Sequence, residues 1–240
     1  MKLFDVIFED DDLLVVNKPA GLVCHPTKGD EYSSLISRAR LQLGAGSEPR
    51  LVNRLDRETS GLVLVAKSSE VAGRLGRAME QRRIGKTYLA IVHGCAPARD
   101  TVVEARLGRD EQSVVAIKDC VRPDGAEAST QFSRLQTWEA NGKNFSLLQV
   151  HPLGGRKHQI RIHLQHAGHP IVGDKMYSGD ESLYLDFVHG RLTEAQRERL
   201  ILPHQALHAG QLELEWKGER RVFAAPPEDW FQAFIPGGVP

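Results

Sequence analysis

Arg54-Leu55-Asp56-Arg57-Glu58-Thr59-Ser60-Gly61 is the stretch around which the sequence is organised. It leads directly into Leu62-Val63-Leu64-Val65-Ala66, a run of branched residues that predicts a buried strand. Thr59, Ser60 and Gly61, which end the octet, favour a bend in the backbone. The bend would place Asp56 at the end of the sheet, between Arg54 and Arg57. A carboxylate between guanidinium groups stays ionised, because nearby positive charge favours its charged form. Asp56 could therefore act as a nucleophile, a base or a metal ligand, although an isolated Arg-x-Asp is more often a surface ion pair.

The composition is that of a soluble globular protein. At 240 residues the chain can bury a full core, and its apolar and charged fractions, 41% and 26%, are ordinary. No apolar run approaches the roughly 18 residues that a membrane helix needs, and the first residues do not form a signal peptide. Cys24, Cys95 and Cys120 are too few and too widely spaced for a disulfide framework or a Cys-x-x-Cys metal site. These observations predict a cytoplasmic protein that does not enter a membrane.

The charges are unevenly distributed along the chain, although the net charge is zero. Residues 34–93 hold eleven Lys or Arg against five Asp or Glu, and residues 150–175 hold four against one. Residues 1–33 and 176–240 are acidic. A basic concentration around Asp56 and around a second segment favours a polyanion such as RNA as the partner. A solvated basic face is the alternative.

Three segments resemble signatures of the RluA-type pseudouridine synthases. Residues 53–62, with Asn53 in first place, resemble the signature H-R-L-D-x-x-T-S-G-L, in which the family usually has histidine at that position. Residues 15–23 resemble V-N-K-P-x-G-L, and residues 154–164 resemble T-G-R-T-H-Q-I-R-x-H with Gly154 and Lys157 in place of threonines. Shorter likenesses lie at Lys86-Thr87-Tyr88 and at residues 168–174. The segments have the order of that family and together span most of the chain.

The resemblance implies roles for individual residues. Asp56 would be the nucleophile, Arg161 would pair with it, and Tyr88 would stack on the target base. Arg54 would fill the space that the base leaves when it turns out of the RNA. The remaining residues that we expect at the RNA are basic or polar: Arg57, Lys18, Lys86, Arg156, Lys157 and His158. A helix beginning near Arg156 would also direct its first amide groups towards a phosphate.

The strand and hairpin signals predict an α+β protein with a long, mainly antiparallel mixed sheet, flanking helices and a central cleft, as in the pseudouridine synthase fold. We expect residues 1–240 to form a single catalytic domain without an accessory N-terminal RNA-binding domain, because a strand begins at Val6. Helices are expected after Ser33 or Ser34, after Ser68 or Ser69 and from Thr193. Asn141-Gly142 predicts a hairpin. A short strand is expected at Ser113-Val114-Val115-Ala116, and residues from 176 to the Thr193 helix are expected to form loops.

The function implied by the resemblance is isomerisation of uridine to pseudouridine in structured RNA, ribosomal or transfer. It needs no metal, redox carrier or nucleotide cofactor, and we expect a monomer. Two alternatives remain open at this point. One is an RNA-binding module of the same fold without turnover. The other is a metal-dependent RNA hydrolase, which the spacing of His163, His166 and His169 disfavours, because every third residue drifts around a helix.

Overall fold

The structure is a computed structural model, and it describes residues 4–26, 33–44 and 46–239. The chain divides into two compact units. The first comprises Met1–Thr87 and His208–Glu228, and the second comprises Tyr88–Leu207 and Asp229–Pro240. No helix in the described part of the chain is long and apolar enough to cross a membrane.

The first unit is built around a fully buried strand. Its elements in chain order are β1 (Asp5–Glu9), β2 (Leu13–Lys18), α1 (Leu35–Leu43), β3 (Arg50–Leu51), β4 (Ser60–Ala66) and α2 (Ser69–Glu80), followed much later by β11 (Leu207–Trp216) and β12 (Glu219–Ala224). The strand order is β1-β2-β4-β11-β12, with β3 beside β4. The pairings are antiparallel except that of β4 with β11, which is parallel. All seven residues of β4 are buried, as a run of branched apolar residues favours for a central strand.

The second unit contains a long antiparallel hairpin and several short helices. The strand β5 (Gly85–His93) leads into it, and β6 (Thr101–Glu104), β7 (Leu107–Arg109), β8 (Asp119–Val121), β9 (Ser129–Ala140) and β10 (Lys143–Pro152) follow. The helices are α3 (Gln159–His166), α4 (Ser182–Val188), α5 (Glu194–Leu200) and α6 (Asp229–Gln232). Its strand order is β5-β10-β9-β6, while β7 and β8 form a separate ribbon. Phe132, Phe145, Leu147 and Phe231 form the centre of its core.

Local signals in the sequence predicted most of these elements correctly. Ser34 and Ser68 accept hydrogen bonds from the first turns of α1 and α2, and Thr193 forms a capping box at α5. Asn141 and Gly142 both have positive φ, which is the geometry of the tight turn that joins β9 to β10. The α+β class and the mainly antiparallel mixed sheet are confirmed.

Three expectations about secondary structure are wrong. Residues 113–116 form turns rather than a strand, because Glu181 accepts hydrogen bonds from the Ser113 hydroxyl and the Val114 amide and so fixes this segment as a loop. A helix occupies Ser182–Val188 where loops were expected. The residue before this helix, Glu181, makes no capping hydrogen bond, but Asp180 Oδ1 accepts from the Ser182 amide at 3.2 Å, and Leu183 is buried. Finally, α3 begins at Gln159 rather than near Arg156, because His158 before it adopts a left-handed conformation.

Candidate active site

The turn that carries Asp56 lies directly before β4. The carbonyl of Asp56 accepts a hydrogen bond from the Thr59 amide at 3.2 Å, which closes the turn. Asp56 is half-buried, while Arg54 and Arg57 on either side are exposed. The Arg57 Nε donates to the Gly21 carbonyl at 3.2 Å, and the Gly21 amide donates to the Arg57 carbonyl at 2.8 Å. The loop after β2 therefore fixes the residue next to Asp56, and Asp56 lies half-buried in the turn that precedes β4.

The buried side chain of Lys18 supports this turn through hydrogen bonds and does not reach the surface. It was expected to contact RNA, but its side chain is fully buried, and Nζ donates to the carbonyls of Pro19, Leu22 and Arg57 at 2.8–3.2 Å. Burial lowers the pKa of Lys18 to about 8, although nearby acidic groups, Asp56 among them, oppose that change. A direct RNA contact is incompatible with this burial. The ammonium instead joins the end of β2 to the Asp56 turn.

Asn53, in the position where histidine was expected from the resemblance, holds the other side of the turn. Its Nδ2 donates to the Leu62 carbonyl at 3.1 Å, and its Oδ1 accepts from the Leu64 amide at 2.8 Å. The side-chain amide thus makes two hydrogen bonds to β4 that the backbone of a neighbouring strand would otherwise make. Asn53 therefore has a defined structural role, which is to fasten the start of the motif to the buried strand.

Cys24 fixes the residue immediately before Asp56. Its buried thiol accepts a hydrogen bond from the Leu55 amide at 3.4 Å and donates to the Leu55 carbonyl at 3.3 Å. Burial raises the pKa of this thiol, and the charge of Asp56 acts in the same direction, so the protonated form that can donate is favoured. The backbone at Leu55 is consequently held through both of its polar groups.

The start of β4 is fastened to β11 by a buried histidine. Nε2 of His208 lies 2.9 Å from the Ala225 carbonyl, and because a carbonyl only accepts, Nε2 carries the proton. Nδ1 then accepts from the Ser60 hydroxyl at 2.9 Å. Gly61 has φ +114°, and a Cβ there would collide with the carbonyl oxygen of Ala209. Only glycine permits this close approach of β4 to β11. The approach fixes the start of β4, directly after the turn that carries Asp56.

Tyr88 and Lys86 lie on β5. Both side chains are half-buried, and Tyr88 pairs in register with Val150 of β10 and packs against the core of the second unit. Burial lowers the pKa of Lys86. A partly buried aromatic ring of this kind is suited to stacking on a base. The stacking role of Tyr88 and the RNA contact of Lys86 stay predictions.

Arg161 lies in the second unit and forms a buried ion pair with Asp174. Nε and Nη2 of Arg161 donate to the two oxygens of Asp174 at 2.7 and 3.0 Å. Asp174 Oδ1 also accepts from the amides of Met176 and Tyr177 at 2.9 and 3.0 Å. Burial alone would raise the pKa of Asp174, but the charge and hydrogen bonds of Arg161 outweigh it, so the pKa lies below its ordinary value. The guanidinium is held in one orientation, and its expected pairing with Asp56 stays a prediction.

Aromatic packing adds to the support of Arg161. The Tyr177 ring lies under the guanidinium, 4.9 Å from its carbon. The Tyr177 hydroxyl donates to the Asp119 carbonyl at 3.1 Å and lies 3.0 Å from Nδ1 of His158. Asp174 and Tyr177 therefore hold Arg161 in place, and sequence reasoning did not identify either contact. Asp174 belongs to a segment with a family likeness, which was the available signal, while nothing local indicated Tyr177.

The three residues before α3 that were expected at RNA differ in their surroundings. Arg156 is exposed, and its Nε lies 3.5 Å from the Glu127 carbonyl. Lys157 forms an ion pair with Asp119 at 2.8 Å, although nearly half of its side chain is exposed. His158 is half-buried against Tyr177. Arg156 and Lys157 are thus more accessible than His158, and the RNA contacts of all three stay predictions.

No group of three or more His, Cys, Asp or Glu side chains with a metal-binding arrangement occurs among the described residues. The three cysteines are free thiols. His163, considered above as a possible ligand, is buried and lies 2.8 Å from the Thr130 hydroxyl and 3.0 Å from the Ala105 carbonyl. Its two ring nitrogens are therefore used in structural hydrogen bonds.

Solved structures with the same fold are pseudouridylate synthase domains. The protein is similar to human RNA Pseudouridylate Synthase Domain Containing 1, with a TM-score of 0.73 and 25% identity over 94% of this chain and 85% of that one. It is also similar to human RNA Pseudouridylate Synthase Domain Containing 4, with a TM-score of 0.71 and 26% identity over 95% and 90%. The fold is therefore the pseudouridine synthase fold.

Residues 12–166 match the family model described as RNA pseudouridylate synthase, and the chain belongs to that family. It is 37% identical over 238 residues to ribosomal large subunit pseudouridine synthase D of Nitrosomonas europaea, covering 96% of this chain and 64% of that protein. It is 39% identical over 178 residues to the mitochondrial tRNA pseudouridine(32) synthase of Saccharomyces cerevisiae, covering 73% of this chain and 37% of that protein. The chain thus spans about two thirds or less of the length of these two relatives. The resemblance noted in the sequence is confirmed.

Proposed function

We propose that this protein isomerises specific uridines to pseudouridine in structured RNA, either ribosomal or transfer RNA. The observation that carries the proposal is the family match over residues 12–166, a segment that includes Asp56, Tyr88 and Arg161. The named relatives, a ribosomal and a transfer RNA enzyme, support RNA as the substrate class.

In this proposal Asp56 attacks the target nucleotide while the bond from the ribose to uracil nitrogen is broken. The uracil then turns, its carbon 5 bonds to the ribose, and Asp56 is released. Carbon 5 gives up its proton in this step and nitrogen 1 takes one up, so the reaction is an isomerisation. The surroundings of Asp56 support this role, because Lys18, Asn53 and Cys24 hold the backbone on either side of it while its own side chain stays half-exposed. A nucleophile held by fixed neighbours loses little freedom when it reacts, which lowers the barrier.

The target uridine must leave the RNA stack before Asp56 can reach it, at a cost of a few kcal/mol. Arg54, exposed and two residues before Asp56, is the side chain that fills the vacated space. Tyr88 stacks on the extruded uracil. Arg161, oriented by Asp174, keeps Asp56 ionised, and the exposed Arg57 and Arg156 bind phosphates. Lys86, Lys157 and His158 contribute further contacts to the RNA.

We further propose that the 240 residues act as one catalytic domain, as a monomer in the cytoplasm and without a cofactor. Three free thiols fit a reducing compartment. Size-exclusion chromatography with light scattering measures the mass, for which 26.7 kDa is expected. A mass near twice that value contradicts the monomer.

The proposed function is tested by mapping pseudouridines in all ribosomal and transfer RNAs from cells with and without this protein. We expect one or more sites to be lost without it and restored by the wild-type chain alone. An unchanged map in every RNA contradicts the proposal and favours a binding module.

A further inference from the structure

The helix α2 ends in a backbone conformation that suits glycine but holds arginine. The Arg83 amide donates to the Ala78 carbonyl at 2.8 Å, and the Arg82 amide donates to the Met79 carbonyl at 3.1 Å. These two hydrogen bonds define the helix stop in which the residue after the cap is left-handed and usually glycine. That residue is Arg82, with φ 58°. A side chain in this conformation is crowded by its own backbone, so the arginine is kept here against the local preference.

Arg82 lies in a surface depression of about 560 Å³ in the first unit. The charged side chains that line it are Arg82, Arg83, Arg220, Glu213 and Glu215. Arg220 and Glu213 neutralise each other through an ion pair at 2.7 Å. Among the described residues, no carboxylate lies within 4 Å of the guanidinium groups of Arg82 and Arg83, which face outwards as exposed cations.

The positive surface continues along α2. Arg74 is exposed and lies over the Trp216 ring at 5.1 Å, and Arg77 follows one turn later and is also exposed. We name this surface the arginine face, and its members are Arg74, Arg77, Arg82 and Arg83. Cations near the end of a helix favour its macrodipole. That effect does not explain a left-handed arginine where glycine fits better.

The arginine face is remote from Asp56 within the first unit. Ser60, at the start of β4, pairs with His208 of β11, and the two strands run parallel. Glu213 and Glu215 in the depression are five and seven residues further along β11, which places them roughly 17–23 Å from the level of Ser60 at about 3.3 Å per residue. A ligand of the arginine face is therefore not the target nucleotide.

We propose that the arginine face binds backbone phosphates of a helical segment of the substrate RNA, about 20 Å from the modified uridine. This inference rests on the proposed function. Guanidinium forks match phosphate oxygens, and several of them along one surface favour a polyanion. Contacts of this kind position the RNA without reading its sequence. The arginine face therefore favours substrates that extend well beyond the modified loop.

Binding is tested with an RNA duplex of about 16 base pairs, which contains no target loop. The variant Arg82→Asn/Arg83→Gln removes two charges and keeps a residue that tolerates the left-handed conformation. The matched control is Arg99→Gln/Arg109→Gln, which removes two exposed charges from the second unit. We expect the test variant to bind at least tenfold more weakly at 100 mM salt and to lower the slope of log K against log salt by about 1.5. If the test variant binds the duplex as tightly as the control, the inference is overturned. That result is expected if the arginine face binds a protein rather than RNA.

Turnover gives a second measurement on ribosomal or transfer RNA that lacks the modification. For the Arg82 and Arg83 variant, kcat/KM is expected to fall at least tenfold on the full RNA and less than twofold on a short hairpin with the target uridine. If kcat/KM falls by the same factor on the full RNA and on the short hairpin, the inference is overturned. If wild-type protein modifies no RNA, the proposed function fails, while the duplex measurement still decides whether the arginine face binds RNA.

Arg82→Gly separates binding from folding. Glycine relieves the crowding at φ 58°, so we expect a Tm equal to or above that of the wild type together with weaker duplex binding. A lower Tm with unchanged binding shows that Arg82 serves the fold and contradicts the inference.

Discussion

The thiol of Cys24 holds Leu55 through both backbone polar groups, accepting from its amide at 3.4 Å and donating to its carbonyl at 3.3 Å. Leu55 immediately precedes the proposed nucleophile. We therefore expect Cys24→Val, which keeps the approximate volume but loses the hydrogen bonds, to lower kcat at least tenfold with little change in KM. Stability should fall by about 1–3 kcal/mol, because two buried backbone groups lose their partner.

Cys24→Ser is the matched control, since a hydroxyl can donate and accept in the same place. It should keep kcat within a few-fold of the wild type. Single-turnover rates at saturating RNA, together with chemical denaturation, measure both effects. Equal kcat for the valine variant and the wild type would show that this contact does not position the turn.

Arg54 is exposed beside the turn. Its proposed role, to fill the space that the extruded uracil leaves in the RNA stack (the wedge role), requires its shape as well as its charge. Arg54→Ala should slow modification of a structured RNA by more than tenfold and be partly rescued on an RNA in which the target uridine is already unpaired. Arg54→Lys keeps the charge and serves as the control. If lysine restores full activity, Arg54 is a phosphate contact and the wedge role is wrong.

Asp174 and Arg161 form a buried pair in which both charges have lost their water. Asp174→Asn leaves the guanidinium without its counter-charge and directs an amide donor at other donors, so we expect destabilisation of about 3–5 kcal/mol. The exposed pair of Arg106 and Glu127, at 2.7 Å, provides the control. Glu127→Gln should cost less than about 1 kcal/mol. Urea unfolding of both variants measures the difference, and similar losses would contradict the structural role of the buried pair.

His208 predicts a dependence of stability on pH. Burial lowers the pKa of His208 below its ordinary value of 6.5, so the unfolded chain binds the extra proton first. The contribution of His208 to the free energy of unfolding is fully present above pH 6.5. It is lost as the pH falls through the pKa of the folded state, by up to about 1.4 kcal/mol per pH unit. His208→Gln keeps a donor and an acceptor but does not titrate. The difference in stability between wild type and variant should shrink from pH 7 to pH 5, and a constant difference would exclude His208 as the source.

Elements with local signals could be predicted from the sequence, and contacts between distant residues could not. β4 follows from its run of branched residues, and the β9–β10 turn follows from Asn141-Gly142, because both depend on neighbours in the chain. Lys18 was expected to contact RNA, yet its ammonium donates to three backbone carbonyls, one of them that of Arg57, 39 residues away. The helix Ser182–Val188 has no capping hydrogen bond from Glu181, the residue that precedes it, and it buries Leu183.

The candidate site shows the same division. Asp56, Tyr88 and Arg161 were identified from motifs, whereas Cys24, Asp174 and His208 act through contacts that the spacing of residues does not indicate. Asn53 is an intermediate case. Its position in the motif was known, but its bridge to Leu62 and Leu64 became clear only from the structure.

Asp56→Asn tests the central claim most directly. The change keeps the size of the side chain and removes the nucleophile, so turnover should disappear while RNA binding persists or tightens, because a carboxylate no longer repels phosphates. The measurement is tritium release from RNA labelled at carbon 5 of uridine, made beside a filter-binding titration at fixed salt and a melting curve. The account predicts release at background for Asp56→Asn, with affinity equal to or above that of the wild type and a similar Tm. Undiminished release from the variant would contradict it.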